Sequence, residues 1–162
     1  MPHDLLDGKR ILVVDDEHDV FETIEELLPM CRLVEANNFE QAKDLLEGEP
    51  FDMALLDIMG VRGYDLLKIA SAKGIPSVMM TAYALSVKDT VNSFRGGAAS
   101  YVPKEELAHI AKFLNDILAT HKDGKTKGKR WLDRLGDFYD GKFGRDWQSG
   151  DEEFWKKFKH WV

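Results

Sequence analysis

Over its first 120 residues the chain alternates five times between a short apolar run and a longer segment with apolar residues at three- and four-residue spacing. The apolar runs 11–14, 51–56, 75–80 and 99–102, with a weaker one at 32–36, predict five strands. They show no polar alternation, so they suit strands covered on both faces. The helical stripes follow in turn. Val20, Ile24, Leu27 and Leu28 form the first, closed by Pro29. Asn38 caps a second through Ala42, Leu45 and Leu46, ended by Gly48. Gly63 opens a third through Leu66, Leu67, Ile69 and Ala70 to Gly74. Ser86 caps a fourth with Val87, Val91 and Phe94, stopped by Gly96-Gly97. The last spans 105–121 and carries Leu107, Ile110, Ala111, Leu114, Ile117 and Leu118. Five strand–helix repeats imply an α/β fold, a parallel sheet with helices on both faces and right-handed crossovers.

Past residue 121 the pattern changes. Residues 123–129 hold no apolar side chain and read as a flexible basic linker. Two aromatic stripes follow, Trp131, Leu132, Leu135, Phe138 and Tyr139, then Phe154, Trp155, Phe158, Trp161 and Val162, separated by Gly141, Gly144 and Gly150. The expected organisation is therefore a domain at 1–121, a linker at 122–130 and an aromatic-rich helical extension at 131–162. Charge sharpens this division. The net −7 splits into +3 for residues 120–162 (11 basic, 8 acidic) and −10 for residues 1–119 (11 basic, 21 acidic).

At 44% hydrophobic and 31% charged, 162 residues suffice for one cored domain plus an appendage. No apolar stretch reaches the ~20 residues of a membrane span. The opening Met-Pro-His-Asp lacks the basic-then-apolar pattern of a signal peptide. Cys31, the one cysteine, excludes an intramolecular disulfide and fits a reducing cytoplasm; it reads as a half-buried small hydrophobe. His3, His18, His109, His121 and His160 have no metal-ligand spacing.

The strands end on polar residues: Asp15-Asp16 after the first, Asp57 after the third, Thr81 after the fourth and Lys104 after the fifth. In an open parallel sheet these ends share one edge, where such folds bind and react. Three carboxylates, a hydroxyl and an ammonium there suit a divalent metal and a phosphoryl group. Singly, each has a plain structural use: either aspartate can cap a helix, Thr81 is a β-branched strand residue, Lys104 a solvated helix start and Tyr101 a core aromatic. Their joint placement argues against that reading.

The combination Asp15-Asp16, Asp57, Thr81-Ala82, Tyr101 and Lys104, each in its strand context, resembles the receiver domain of two-component response regulators over roughly residues 8–121. The fold expected with it is the flavodoxin-like doubly wound five-stranded sheet, order 2-1-3-4-5. The resemblance implies that Mg²⁺ is held by Asp16, Asp57 and the backbone carbonyl of Met59, with Asp15 on a metal-bound water. It implies that Asp57 takes a phosphoryl group as an acyl phosphate, with Thr81 and Lys104 serving the transferred group. Thr81 and Tyr101 are the implied switch, reshaping the face of the fourth helix, fifth strand and fifth helix at about residues 86–118. The implied partners are a sensor histidine kinase or phosphotransfer protein, and a downstream protein or a second copy of the chain.

Two departures stand out. The stretch Asp57-Ile-Met-Gly60-Val-Arg-Gly63 lacks the usual Met-Pro and is about two residues short of the family loop. Pro103 precedes Lys104 and Glu105 follows it, so the usual Lys-Pro bond is absent and a cis bond at Lys104-Glu105 is unfavourable. Neither removes a candidate ligand, nucleophile or switch residue. The shortened loop keeps open a non-phosphorylated pseudo-receiver that acts as a binding module. A phosphoaspartate hydrolase needs a second aspartate two residues after the nucleophile, and position 59 is Met. The signalling switch is thus expected to be no enzyme beyond its own phosphorylation and dephosphorylation. The roughly 40 residues after 121 show no helix-turn-helix or other DNA-binding pattern. Their four tryptophans point to packing or to a protein partner; the interleaved Lys156, Lys157 and Lys159 also suit an anionic membrane or single strand, against which the small net charge argues.

Overall fold

Each apolar run becomes a strand, and in a computed structural model of the chain the five strands form one sheet. The described residues are 4–82, 86–119 and 126–161. His3, His121, residues 122–125 of the expected linker and Val162 lie outside them. The strands are β1 (Arg10–Val14), β2 (Arg32–Ala36), β3 (Met53–Asp57), β4 (Ser77–Thr81) and β5 (Ser100–Pro103), and the helices between them are α1 (His18–Leu27), α2 (Phe39–Gly48), α3 (Gly63–Ala72) and α4 (Val87–Arg95). All neighbouring strands are parallel, in the order β2-β1-β3-β4-β5. The sheet is the doubly wound one the alternation predicts.

The chain splits into two compact units, Met1–Asn115 and Asp116–Val162. In the first, β1, β3 and β4 run through the middle of the sheet, and Ile11, Leu12, Val13, Val14, Leu55, Leu56, Val78 and Met79 are fully buried. Edge strand β2 exposes Arg32 and half-buries Leu33 and Val34, which is why its apolar signal is weak. Asn38 and Ser86 cap their helices as expected: each side chain accepts from a backbone N–H three residues on, Gln41 at 2.8 Å and Asp89 at 3.0 Å.

The expected helix at 105–121 is interrupted. Residues Lys104–His109 form a 3-10 helix, and the α-helix α5 is Ile110–Leu118. Packing sets the tighter turn: only Leu107 of this segment is buried, so no continuous apolar stripe enforces the wider helix.

In the second unit α6 (Lys127–Phe143) begins inside the expected linker, because Thr126 accepts from Lys129 N–H at 3.0 Å and caps it. The linker reading of 127–130 is therefore corrected: lysine and arginine are good helix formers, and a polar first turn carries no apolar signal. Gly141 likewise lies within α6, not between segments. A 3-10 turn (Trp147–Asp151) then leads to α7 (Glu152–Phe158). The rings bury one another. Trp131 meets Tyr139, Trp155 and Phe158 at centroid separations of 5.2, 6.0 and 5.7 Å, and Trp147 meets Trp155 at 4.8 Å. The two helices touch at Gly128, where a Cβ would lie 1.7 Å from the Phe158 carbonyl oxygen. Gly128 N–H donates to Trp161 O at 3.2 Å, and the Thr126 hydroxyl donates to Lys159 O. The start of α6 thus satisfies carbonyls left open at the end of α7.

Candidate functional site

The C-terminal sheet edge gathers the predicted residues. Asp15 follows β1 directly, its N–H bound to Ala36 O at 3.1 Å. Asp57 and Thr81 end β3 and β4, and Lys104 follows the last residue of β5. Asp15, Asp57 and Thr81 are buried and Asp16 is exposed. One carboxylate oxygen from each of Asp15, Asp16 and Asp57 lies within 4.8 Å of the others. The Lys104 ammonium bridges two of them, 2.7 Å from Asp15 Oδ2 and 3.3 Å from Asp57 Oδ1. Asp15 Oδ1 accepts from Glu17 N–H at 2.9 Å, which fixes the carboxylate.

Asp16, Glu17, Asp57, Met59, Gly60, Ala82 and Lys104 line a cleft of about 200 Å³. That is below the ~300–1,000 Å³ of pockets for drug-sized ligands and suits an ion with a small group. Burial raises the Asp57 carboxyl to about 6, with the Asp15 charge adding to it and Lys104 pulling it back. Burial opposes the Lys104 charge, but the hydrogen bond to Asp15 and the charges of Asp57 and Asp15 outweigh it, so its pKa is raised. Three clustered carboxylates against one ammonium leave a net negative charge at this sheet edge, a donor set that fits a hard divalent cation.

The loop from Asp57 to Gly63 explains how a short connection still closes. Gly60 adopts φ +83°, and a Cβ there would lie 2.4 Å from Asp16 Oδ2. Only glycine lets the backbone turn this way against that carboxylate. Gly63 packs as tightly, since a Cβ would come within 2.2 Å of the Asp57 carbonyl oxygen. The Met59 side chain is 57% exposed at the cleft mouth.

Thr81 and Tyr101 also meet. Tyr101 is fully buried, and the hydroxyls of Thr90 and Thr81 interact with its phenol. Burial, then the nearby Asp89 and Tyr64, raise its pKa. Tyr64 donates to Asp89 Oδ1 at 3.1 Å, Ser86 Oγ lies 3.1 Å from Asp89 Oδ2, and Thr90 Oγ1 donates to Ser86 O at 2.8 Å. This network joining α3, α4 and β5 has no periodic signature and was missed in the sequence; so was Glu17, visible only as the third acid of the run 15–17.

An acidic triad, a bridging lysine and a strand-end threonine on a 2-1-3-4-5 parallel sheet define a receiver domain, and the sequence profile of the response regulator receiver domain matches residues 11–115. The chain belongs to that family, the receiver domains of two-component systems. It is 37% identical over 100 residues to the transcriptional regulatory protein CpxR of Escherichia coli (strain K12), covering 59% of this chain and 42% of CpxR. It thus spans less than half the length of that curated relative. Among solved structures it is similar to a CheY-like response regulator receiver domain protein from Methanospirillum hungatei JF-1, at TM-score 0.57 and 28% identity over 67% of this chain and 94% of that one. A putative response regulator from Chloroflexus aurantiacus J-10-fl gives TM-score 0.62 and 26% identity over 70% and 99%. The profile match and the first compact unit end at the same residue, Asn115. Among the described residues no helix is long and apolar enough to cross a membrane.

Proposed function

We propose that the chain is a phosphorylation-dependent signalling switch whose acceptor is Asp57. The observation that carries this is the Lys104 ammonium held between Asp15 and Asp57 in one acidic cleft. Asp57 lies above its raised pKa at neutral pH, so the nucleophilic carboxylate is present. Its oxygen attacks the phosphorus of a phosphohistidine on a sensor kinase or phosphotransfer protein. A P–O bond forms, the P–N bond breaks, and the electron pair leaves with the imidazole nitrogen. Lys104 stands beside the reacting oxygen and offsets charge on the transferred group. Thr81 offers its hydroxyl to a phosphoryl oxygen. Asp16, Asp57 and the Met59 carbonyl, with Asp15 beside them, would hold a Mg²⁺ ion, which would supply further charge neutralisation.

Movement of Thr81 toward the phosphoryl group alters its interaction with Tyr101, and through Thr90 and Asp89 it biases α4, β5 and α5. That face engages a downstream protein or a second copy of the chain, in the cytoplasm where such kinases act. The chain performs no chemistry on other substrates. The intact triad and lysine favour this reading over a pseudo-receiver that only binds. Amide exchange across residues 86–118 with Mg²⁺ and beryllofluoride tests the switch. Altered protection in the wild type, absent in Asp57→Asn, is expected; identical exchange with and without the mimic overturns the switch.

A further inference from the structure

The shortened loop turns from β3 into α3 with two left-handed residues. One is Gly60; the other is Arg62, at φ 56° and ψ 53°. Arg62 is the sole non-glycine residue at positive φ among the described residues. An L-residue with a long side chain resists this conformation, so something else must hold it there. The side chain supplies the hold. Its guanidinium carbon lies 4.0 Å from the centroid of the Phe39 ring, and Nε is 2.9 Å from Asp65 Oδ2. Phe39 is the first residue of α2, so the loop is fastened to a second element. The Arg62 carbonyl accepts from Asp65 and Leu66 N–H at 3.0 and 3.1 Å and starts α3, while Gly63 N–H closes the loop onto Ile58 O at 3.3 Å. The same turn seats Gly60 against the Asp16 carboxylate.

We infer that Arg62 is a positioning residue for the metal side of the site: clamped between Phe39 and Asp65, it holds the left-handed turn that seats Gly60 against Asp16, next to Met59 at the cleft. This inference rests on the reading of the cleft as a receiver site, and the experiment separates the two.

Full-length wild type, Arg62→Ala and Phe39→Leu are compared by amide exchange of residues 58–63 without metal and by calorimetric titration with Mg²⁺. Both variants are expected to exchange faster in this segment alone and to bind Mg²⁺ about tenfold more weakly, as when an outer-shell contact to a metal ligand is lost. Phosphate uptake at saturating Mg²⁺ then returns to near wild type. Arg62→Asn, which tolerates the left-handed backbone without the clamp, recovers part of both losses. Wild-type exchange and Mg²⁺ affinity in Arg62→Ala and Phe39→Leu overturn the proposal, as does faster exchange throughout the first unit, the mark of general destabilisation. If Arg62→Ala does not fold, Phe39→Leu, which keeps the arginine, decides. No heat from Mg²⁺ with the wild type defeats the metal reading of the cleft, while the exchange measurement still decides the clamp.

Discussion

Replacing Lys104 with methionine keeps most of the side chain's volume and removes the one ammonium among three carboxylates. At separations of 2.7 and 3.3 Å, Coulomb attraction at an effective dielectric of ~20 is about 6 and 5 kcal/mol. Desolvation of the lysine offsets much of this. Removing one partner of a buried pair costs about 3–5 kcal/mol in practice, and the lysine retains some contact with solvent, so about 3 kcal/mol is expected at pH 7.5 without metal. The loss depends on pH in a defined direction. At pH 5 Asp57, raised to about 6, is mostly protonated in the wild type too, so the variant forfeits only the Asp15 interaction. The deficit then falls to about half. Mg²⁺ narrows it at pH 7.5 by supplying charge to the same oxygens. Urea unfolding followed by far-UV circular dichroism measures this, because all four tryptophans lie in the second unit and fluorescence reports that unit alone. An equal deficit at pH 5 and pH 7.5, or one indifferent to Mg²⁺, refutes the electrostatic account of the cleft.

The wild type has its own pH signature. Because the folded Asp57 pKa of about 6 exceeds the ordinary 3.8, the native state holds a proton that the unfolded chain releases. This group therefore costs stability as pH rises from about 4 to about 6, by at most about 3 kcal/mol and less with solvent screening. Mg²⁺ affinity rises through the same window, and a flat affinity from pH 5 to 7 in calorimetry contradicts it. Gly63→Ala places a methyl against the Asp57 carbonyl, which is backbone and cannot turn aside. It is expected to cost ~2 kcal/mol or more and to weaken Mg²⁺ binding, and wild-type urea unfolding speaks against the tight loop. Gly128→Ala forces a methyl into the Phe158 carbonyl where α6 crosses α7. Tryptophan fluorescence and near-UV circular dichroism should change strongly while Mg²⁺ binding by the first unit is retained; unchanged spectra contradict that packing.

What could be read directly in the sequence was local or periodic. The central strands are unbroken apolar runs, their polar ends fall at the sheet edge by topology alone, and Asn38 and Ser86 cap their helices through a three-residue hydrogen bond. What escaped depends on contacts across the fold. The 3-10 turn after Lys104 has a single buried side chain, and α6 starts in a polar run held by Thr126. Trp147 packs from a 3-10 turn that belongs to no helical stripe. The Tyr64–Asp89 bond links residues 25 apart. The short loop after Asp57 reads as a defect in sequence, yet two left-handed residues close it, Arg62 and the Gly60 that is pressed to Asp16.

The central claim is that Asp57 receives a phosphoryl group, and intact-mass spectrometry with Mg²⁺ and acetyl phosphate tests it most directly. The account predicts one phosphate on the wild type, dependent on Mg²⁺ and absent from Asp57→Ala. An unmodified wild type, or equal modification of Asp57→Ala, would contradict it.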